Sequence, residues 1–120
     1  MYDHVGLKVS NLDASAQFFA AALKALGHAV LARDAASVGM GPEGGAAGLW
    51  LAPGAAPVTP VHLAFSARTR SAVDAFYRAG LEARGRDNGA PGLRTDYGPS
   101  YYAAFLLDPD GNNVEAVCLG

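Results

Sequence analysis

Two stretches of this chain, 58 positions apart, carry the same pattern. "DHVGLKVSNLDASAQFFAAAL", residues 3–23, runs without a gap over "VHLAFSARTRSAVDAFYRAGL", residues 61–81. His4 meets His62, Ala14 meets Ala72, Phe18-Phe19 meets Phe76-Tyr77 and Leu23 meets Leu81. Further on, "GPEGGAAGLWL" echoes "DPDGNNVEAV", each an acidic turn with Gly ahead of a strand-like run. The period is about half the chain, so this is a duplicated module and not a solenoid. With 120 residues, about half of them apolar, one compact domain (1–120) is expected. It divides into module 1, about 1–54, and module 2, about 58–120.

Each module reads as strand, helix, then short strands. Residues 3–10 alternate, with Val5, Leu7 and Val9 on one face and His4, Gly6, Lys8 and Ser10 on the other. Asn11 is placed to cap the first helix and Gly27 to stop it, with Phe19, Leu23 and Leu26 on one side. Segments 29–33, 36–40 and 47–52 are predicted strands. Module 2 opens with a strand at 60–67, followed by a helix over 70–80 capped by Thr69, whose Val73, Phe76 and Gly80 face the sheet. A short strand near 82–86 is expected next, then a long irregular loop, "DNGAPGLRTDYGPS". Strands at 101–107 and 113–118 close the chain around an Asp-Pro-Asp-Gly turn. Between the modules Pro53, Gly54, Pro57 and Pro60 make a stiff connector.

Net charge is −2 and the nine Lys and Arg are scattered, which argues against a nucleic-acid partner. No apolar run is long enough to span a bilayer, and "MYDHVGLKVS" lacks the regions of a secretory signal. Cys118 is the single cysteine, read as a small buried hydrophobe, so neither an internal disulfide nor a thiolate zinc cluster is available. A cytoplasmic protein with no membrane partner is the expectation.

One carboxylate sits oddly. Glu115 lies among Val114, Ala116, Val117 and Cys118, and buried charges need partners. By alternation Asn113, Glu115 and Val117 share one face of the last strand. His62, Ala64 and Ser66 share one face of module 2's first strand. Leu63, Phe65, Val114 and Ala116 point to the helix side.

Two βαβββ modules, with His opening the first strand of each and Glu in the last, resemble the vicinal oxygen chelate superfamily of glyoxalase I, bleomycin-resistance proteins and extradiol dioxygenases. The specific pieces are "DHVGLKVSNLDAS", "VHLAF", "AVDAFYRAGL" and "YYAAFLLDPDGNNVEAV", and the last is similar to short bacterial glyoxalase-like proteins. The resemblance implies an α+β fold, in which the paired modules curl a mixed sheet around a cavity, with helices on the outer face. It also implies a divalent ion (Fe, Zn, Mn or Ni) held by His4, His62 and Glu115, and a homodimer. Two imidazoles and one carboxylate suit such ions and leave positions open for substrate oxygens. The implied activity is that of a lyase or isomerase whose small-molecule substrate chelates the ion through adjacent oxygens, with Glu115 as ligand and proton carrier. An extradiol-type Fe(II) dioxygenase and a non-catalytic drug-binding protein are the alternatives. The family's usual fourth ligand falls in "GAAGLWLA", which offers no carboxylate, and Glu43 lies in the turn before it. That argues against full glyoxalase I activity.

The remaining candidates are substrate contacts. Only one of Tyr101 and Tyr102 can face the cavity, because they alternate. Trp50 is a candidate for its wall, and Arg94 and Tyr97 for its mouth, from the long loop. Lys8 is expected to reach solvent. "DPDGNN" is too short, and its acids wrongly spaced, for an EF-hand, and "GPEGG" lacks the Lys-Ser/Thr of a phosphate loop. Both are read as turns.

Overall fold

A computed structural model describes residues 1–55 and 58–120. Of the connector's four rigid positions, Pro57 lies outside the described residues. Module 1 runs β1 (Val5–Val9), α1 (Leu12–Lys24), β2 (His28–Arg33), β3 (Val38–Pro42) and β4 (Leu49–Pro53). Module 2 repeats it with β5 (His62–Ser66), α2 (Arg70–Glu82), β6 (Arg86–Leu93), β7 (Tyr102–Leu107) and β8 (Asn113–Cys118).

The helices start where short polar side chains can close the first turn. Asn11 Oδ1 accepts from the Ala14 amide at 3.0 Å and Thr69 Oγ1 from the Ala72 amide at 3.1 Å, each satisfying an otherwise orphaned N–H. These caps lie at equivalent positions of the repeat. Gly27, with φ +86°, turns the chain after α1, as a left-handed stop does.

Each module folds its strands into one mixed four-stranded sheet, in the orders β1-β4-β3-β2 and β5-β8-β7-β6. In both, the first strand pairs in parallel with the last, and the other pairings are antiparallel. The sheets are not closed, and β1 and β5 each lie at a sheet edge. The helices cover one face of each sheet and pack on each other. Leu7, Val9, Phe18, Phe19, Val38, Met40 and Leu51 thereby join Val73, Phe76, Leu106 and Val114 in one core. Cys118 is buried. The opposite face of each sheet carries no helix: on β5, His62, Ala64 and Ser66 are exposed while Leu63 and Phe65 are half-buried against the core.

The "DPDGNN" turn is a folded corner. Asp108, fully buried, accepts from the Asp110 and Asn112 amides and from Asn112 Nδ2 at 2.7–2.9 Å. Asn112 Oδ1 accepts from the Val61 amide, and the Asp110 carboxylate from the Ser10 amide of module 1. The turn thus ties β1's end to module 2.

One expectation fails. The short strand near 82–86 and the loop "DNGAPGLRTDYGPS" are replaced by the eight-residue β6, Arg86–Leu93, paired with β7. Register shifts at Asp87/Gly89 and Gly89/Gly92 bulge the strand, so its side chains do not alternate and no period of two is visible in the sequence. Pro91 is tolerated because β6 is an edge strand. The irregular stretch shrinks to residues 94–100. Similarly α2 continues to Glu82, with Gly80 inside the helix.

Candidate active site

On the helix-free face of module 2, β5 and β8 run in parallel with Ala64 opposite Glu115 and His62 opposite Asn113. Ala64 has only a methyl group, so the Glu115 carboxylate turns diagonally toward His62. His62 Nε2 and Glu115 Oε1 are 2.8 Å apart. The Tyr101 hydroxyl donates to the other oxygen, Oε2. Glu115 is only 2% exposed, whereas the His62 side chain is 54% exposed. The charged strand residue is therefore satisfied within the chain: Glu115 is buried with an imidazole and a phenol as its partners, as a desolvated carboxylate requires.

Tyr101 and Tyr102 part. Tyr102 turns to the helix side, donates to Asp74 Oδ1 at 2.6 Å and lies under the Arg70 guanidinium. Tyr101 is the tyrosine of the Glu115 face. Its hydrogen bond to Glu115 raises the phenol to about 12, with burial and the carboxylate's charge adding to the effect, so the hydroxyl remains a donor at neutral pH.

Tyr97 and Arg94 extend the same face. The Tyr97 ring packs edge-on to Tyr101 with centroids 5.3 Å apart. The Arg94 guanidinium carbon lies 5.3 Å from the Phe105 ring centroid, and that ring is 6.4 Å from His62. Phe105 pairs directly with Glu115 across β7–β8.

His4 stands apart. Its Nδ1 bonds to Asp3 Oδ1 at 2.7 Å, with the imidazole 57% exposed. Among the described residues, no three His, Cys, Asp or Glu side chains come together closely enough to hold an ion. His4 opens instead on a cleft of about 310 Å³ between the modules, lined also by Tyr2, His28, Met40, Leu63 and Phe65. His28 there has a buried Nδ1 with no partner, and burial lowers its pKa against a smaller opposing effect of the Gly41 backbone. Trp50 lies on the helix-free face of module 1's sheet, its ring against Gly39, where an added Cβ would come within 2.7 Å of it. Lys8 is exposed on that face.

The family model of the glyoxalase/bleomycin resistance protein/dioxygenase superfamily matches residues 2–116. The chain belongs to that superfamily. Among solved structures, a glyoxalase/bleomycin resistance protein from Albidiferax ferrireducens T118 is 29% identical with a TM-score of 0.82, and 98% of each chain is covered. A glyoxalase-related enzyme from Fulvimarina pelagi, at 19% identity and TM-score 0.76, is covered over 87% and covers 98% of this chain. Oxidase ChaP-H1, at 24% identity and TM-score 0.72, is covered over 94% and also covers 98% of this chain. The last two speak for the fold alone. No curated protein matches.

This superfamily member's His62–Glu115 pair fits a divalent ion in one respect. Two donors each about 2.1 Å from an ion and at right angles lie about 3 Å apart, close to the observed 2.8 Å. The two atoms are as close as two ligands of one ion would be, at a distance that is also that of the hydrogen bond they now share. In another respect the set is short, because His4, the third residue the resemblance implies, does not join His62 and Glu115 in the chain.

Sequence reasoning missed Phe105 and Asp3. Phe105 shares its face with Tyr101 by parity along β7, so alternation alone contained that signal. Asp3 adjoins His4, and a carboxylate on an imidazole nitrogen orients the other nitrogen toward an ion.

Proposed function

We propose that this protein is a glyoxalase-type metal-dependent enzyme of the lyase or isomerase kind, acting on a small substrate that chelates the ion through adjacent oxygens. We further propose that its site is completed by a second copy of the chain. The observation that carries the reading is the 2.8 Å His62–Glu115 pair on the sheet face that carries no helix. Two facts support His4 of a second copy as the third ligand. β1 and β5 are both sheet edges, which are open to further pairing. The Asp3 bond to Nδ1 leaves His4 Nε2 available for an ion.

A divalent cation bound there would polarise the substrate oxygens as a Lewis acid. The chain's own groups do the rest. His62 Nε2 and Glu115 Oε1, hydrogen-bonded to each other in the free chain, would become ligands once an ion replaces the proton between them. Tyr101, kept protonated, holds Glu115 Oε2 and fixes the carboxylate's rotation. A proton leaving the substrate would be received at an oxygen of Glu115, the carboxylate that His62 and Tyr101 hold in place. The absence of a carboxylate in "GAAGLWLA" argues against the four-ligand glyoxalase I reaction. Two His and one carboxylate also suit Fe(II), which keeps a ring-cleaving dioxygenase as the second enzymatic reading.

The test is subunit complementation. Purified wild type is expected to bind a divalent ion, and His4→Ala and Glu115→Ala each to lose it. If each site combines His4 of one copy with His62 and Glu115 of the other, a fully exchanged equal mixture of the variants regains about a quarter of the wild-type sites. No recovery would place all three ligands in one chain. A wild type that contains no metal and takes up none when offered Fe(II), Mn(II), Zn or Ni would make the protein a binder of small molecules on its aromatic face.

A further inference from the structure

Arg94 is a cation with a prepared seat and, among the described residues, no carboxylate paired with it. It is half-buried and follows β6 directly. Its Nη1 donates to the Gly92 carbonyl at 2.9 Å and its Nη2 to the Ala90 carbonyl at 2.6 Å, so the bulged strand grips the guanidinium by its own backbone. Gly89 and Gly92 make the room. A Cβ at Gly89 would come within 3.2 Å of Nη2 and 3.0 Å of the Phe105 ring, and one at Gly92 within 3.2 Å of Nη1. Gly89, at φ +147°, also takes a backbone conformation that L side chains rarely adopt. The guanidinium rests on the face of Phe105, a cation–π contact. Among the described residues no carboxylate pairs with it: Arg33 is bridged to Asp13, and the other close contacts to carboxylates are the imidazoles of His4 with Asp3 and of His62 with Glu115. Arg94 keeps N–H donors that neither carbonyl uses, since a guanidinium has five.

We propose that Arg94 is the anion-binding group of the Glu115 face, and that the molecule bound there is a carboxylate. Its carboxylate lies on Arg94 and its reacting end at His62 and Glu115, with the body between them along Phe105. The Phe105 ring spaces the two ends, 5.3 Å from the guanidinium carbon and 6.4 Å from the His62 ring, so the ligand must reach past one phenyl ring. Tyr97 and Tyr101 supply further aromatic wall. A planar fork on a carboxylate selects charge and orientation together. The proposal rests on the reading of this face as a substrate site and extends it to the substrate's class.

The probes are benzoate and its neutral counterpart benzamide, titrated by NMR or calorimetry against wild type, Arg94→Met, Arg94→Lys and Glu115→Gln. Wild type is expected to prefer benzoate by about tenfold or more, the value of one charge-assisted pair. Arg94→Met is expected to lose that preference and Arg94→Lys to keep part of it, while Glu115→Gln retains it. Circular dichroism checks that each variant is folded. Should the Met variant melt early, a preference in Arg94→Lys equal to that of wild type overturns the assignment. Equal binding of the two probes to wild type, or an undiminished preference in Arg94→Met, also overturns it. A preference abolished by Glu115→Gln but not by Arg94→Met would send the carboxylate to the ion, which sinks Arg94's role and leaves the metal reading standing. An Arg94-dependent preference in a wild type that binds no metal does the reverse.

Discussion

His62 and Glu115 meet diagonally across the parallel pair β5–β8, Nε2 to Oε1 at 2.8 Å. The contact joins a solvent-facing ring to a buried carboxylate, so its worth is set by what Glu115 loses without it. In chelator-treated protein a double-mutant cycle of His62→Ala and Glu115→Gln is expected to give a coupling of about 1 kcal/mol, the ring's exposure holding it below the range for buried charged bonds. Denaturant unfolding measures it. Strictly additive effects would mean that the two side chains do not interact in solution.

Tyr101 is expected to be among the last of the five tyrosines to ionise. Its pKa is raised to about 12 by the bond to Glu115, so the folded state favours the neutral phenol. Its contribution to stability is fully present below the unfolded value near 10 and is lost as pH rises through about 12. Ultraviolet titration of wild type against Tyr101→Phe should show one late phenolate step missing in the variant. A late step that persists in Tyr101→Phe would assign it to another tyrosine.

Gly80 of α2 lies against Leu106 of β7 so closely that a Cβ there would come within 2.2 Å of Leu106 Cδ1 and 3.4 Å of Phe18 Cε1. Leu106 is fully buried and has little room to yield. Gly80→Ala should therefore destabilise by about 1–3 kcal/mol, although alanine is favoured over glycine in a helix by about 1 kcal/mol. Added to a Leu106→Ala background the same change should be neutral or stabilising, because the new methyl enters the cavity. Thermal melts of the four proteins decide this, and a destabilisation equal in both backgrounds would contradict the contact.

Trp50, the single tryptophan, rests its ring on Gly39, so closely that a Cβ added to the glycine would lie 2.7 Å from ring carbons Cη2 and Cζ3. Gly39→Ala should lift the half-buried indole from the sheet and shift its fluorescence to the red, with the fold retained. An unchanged emission maximum would show that the ring does not lie there.

Much of this was legible in the residue string because it is local or periodic. The repeat of residues 3–23 over 61–81 announced two like modules. Asn11 and Thr69 marked the helix starts, since a cap needs only a short polar side chain three residues ahead of an amide. Alternation sent His62 and Glu115 to one face, because a strand's side chains can do nothing else. Tyr101 and Tyr102 could not be told apart, since the choice depends on how the chain enters β7 and on the β7–β8 register. The strand expected near 82–86 lies instead at Arg86–Leu93, because the bulges of β6 erase the period of two and its pairing with β7 is a long-range matter.

The two like modules, the helix starts and the shared face of His62 and Glu115 followed from this sequence alone, because propensity, capping and alternation act within a few residues. Which groups actually meet was decided in three dimensions. Backbone carbonyls of a bulged strand seat Arg94, Ala64's lack of bulk turns Glu115 to His62, and the packing of the two modules through their helices leaves His4 away from both. These are distances between residues far apart in the chain, and only the closed tertiary arrangement determines them.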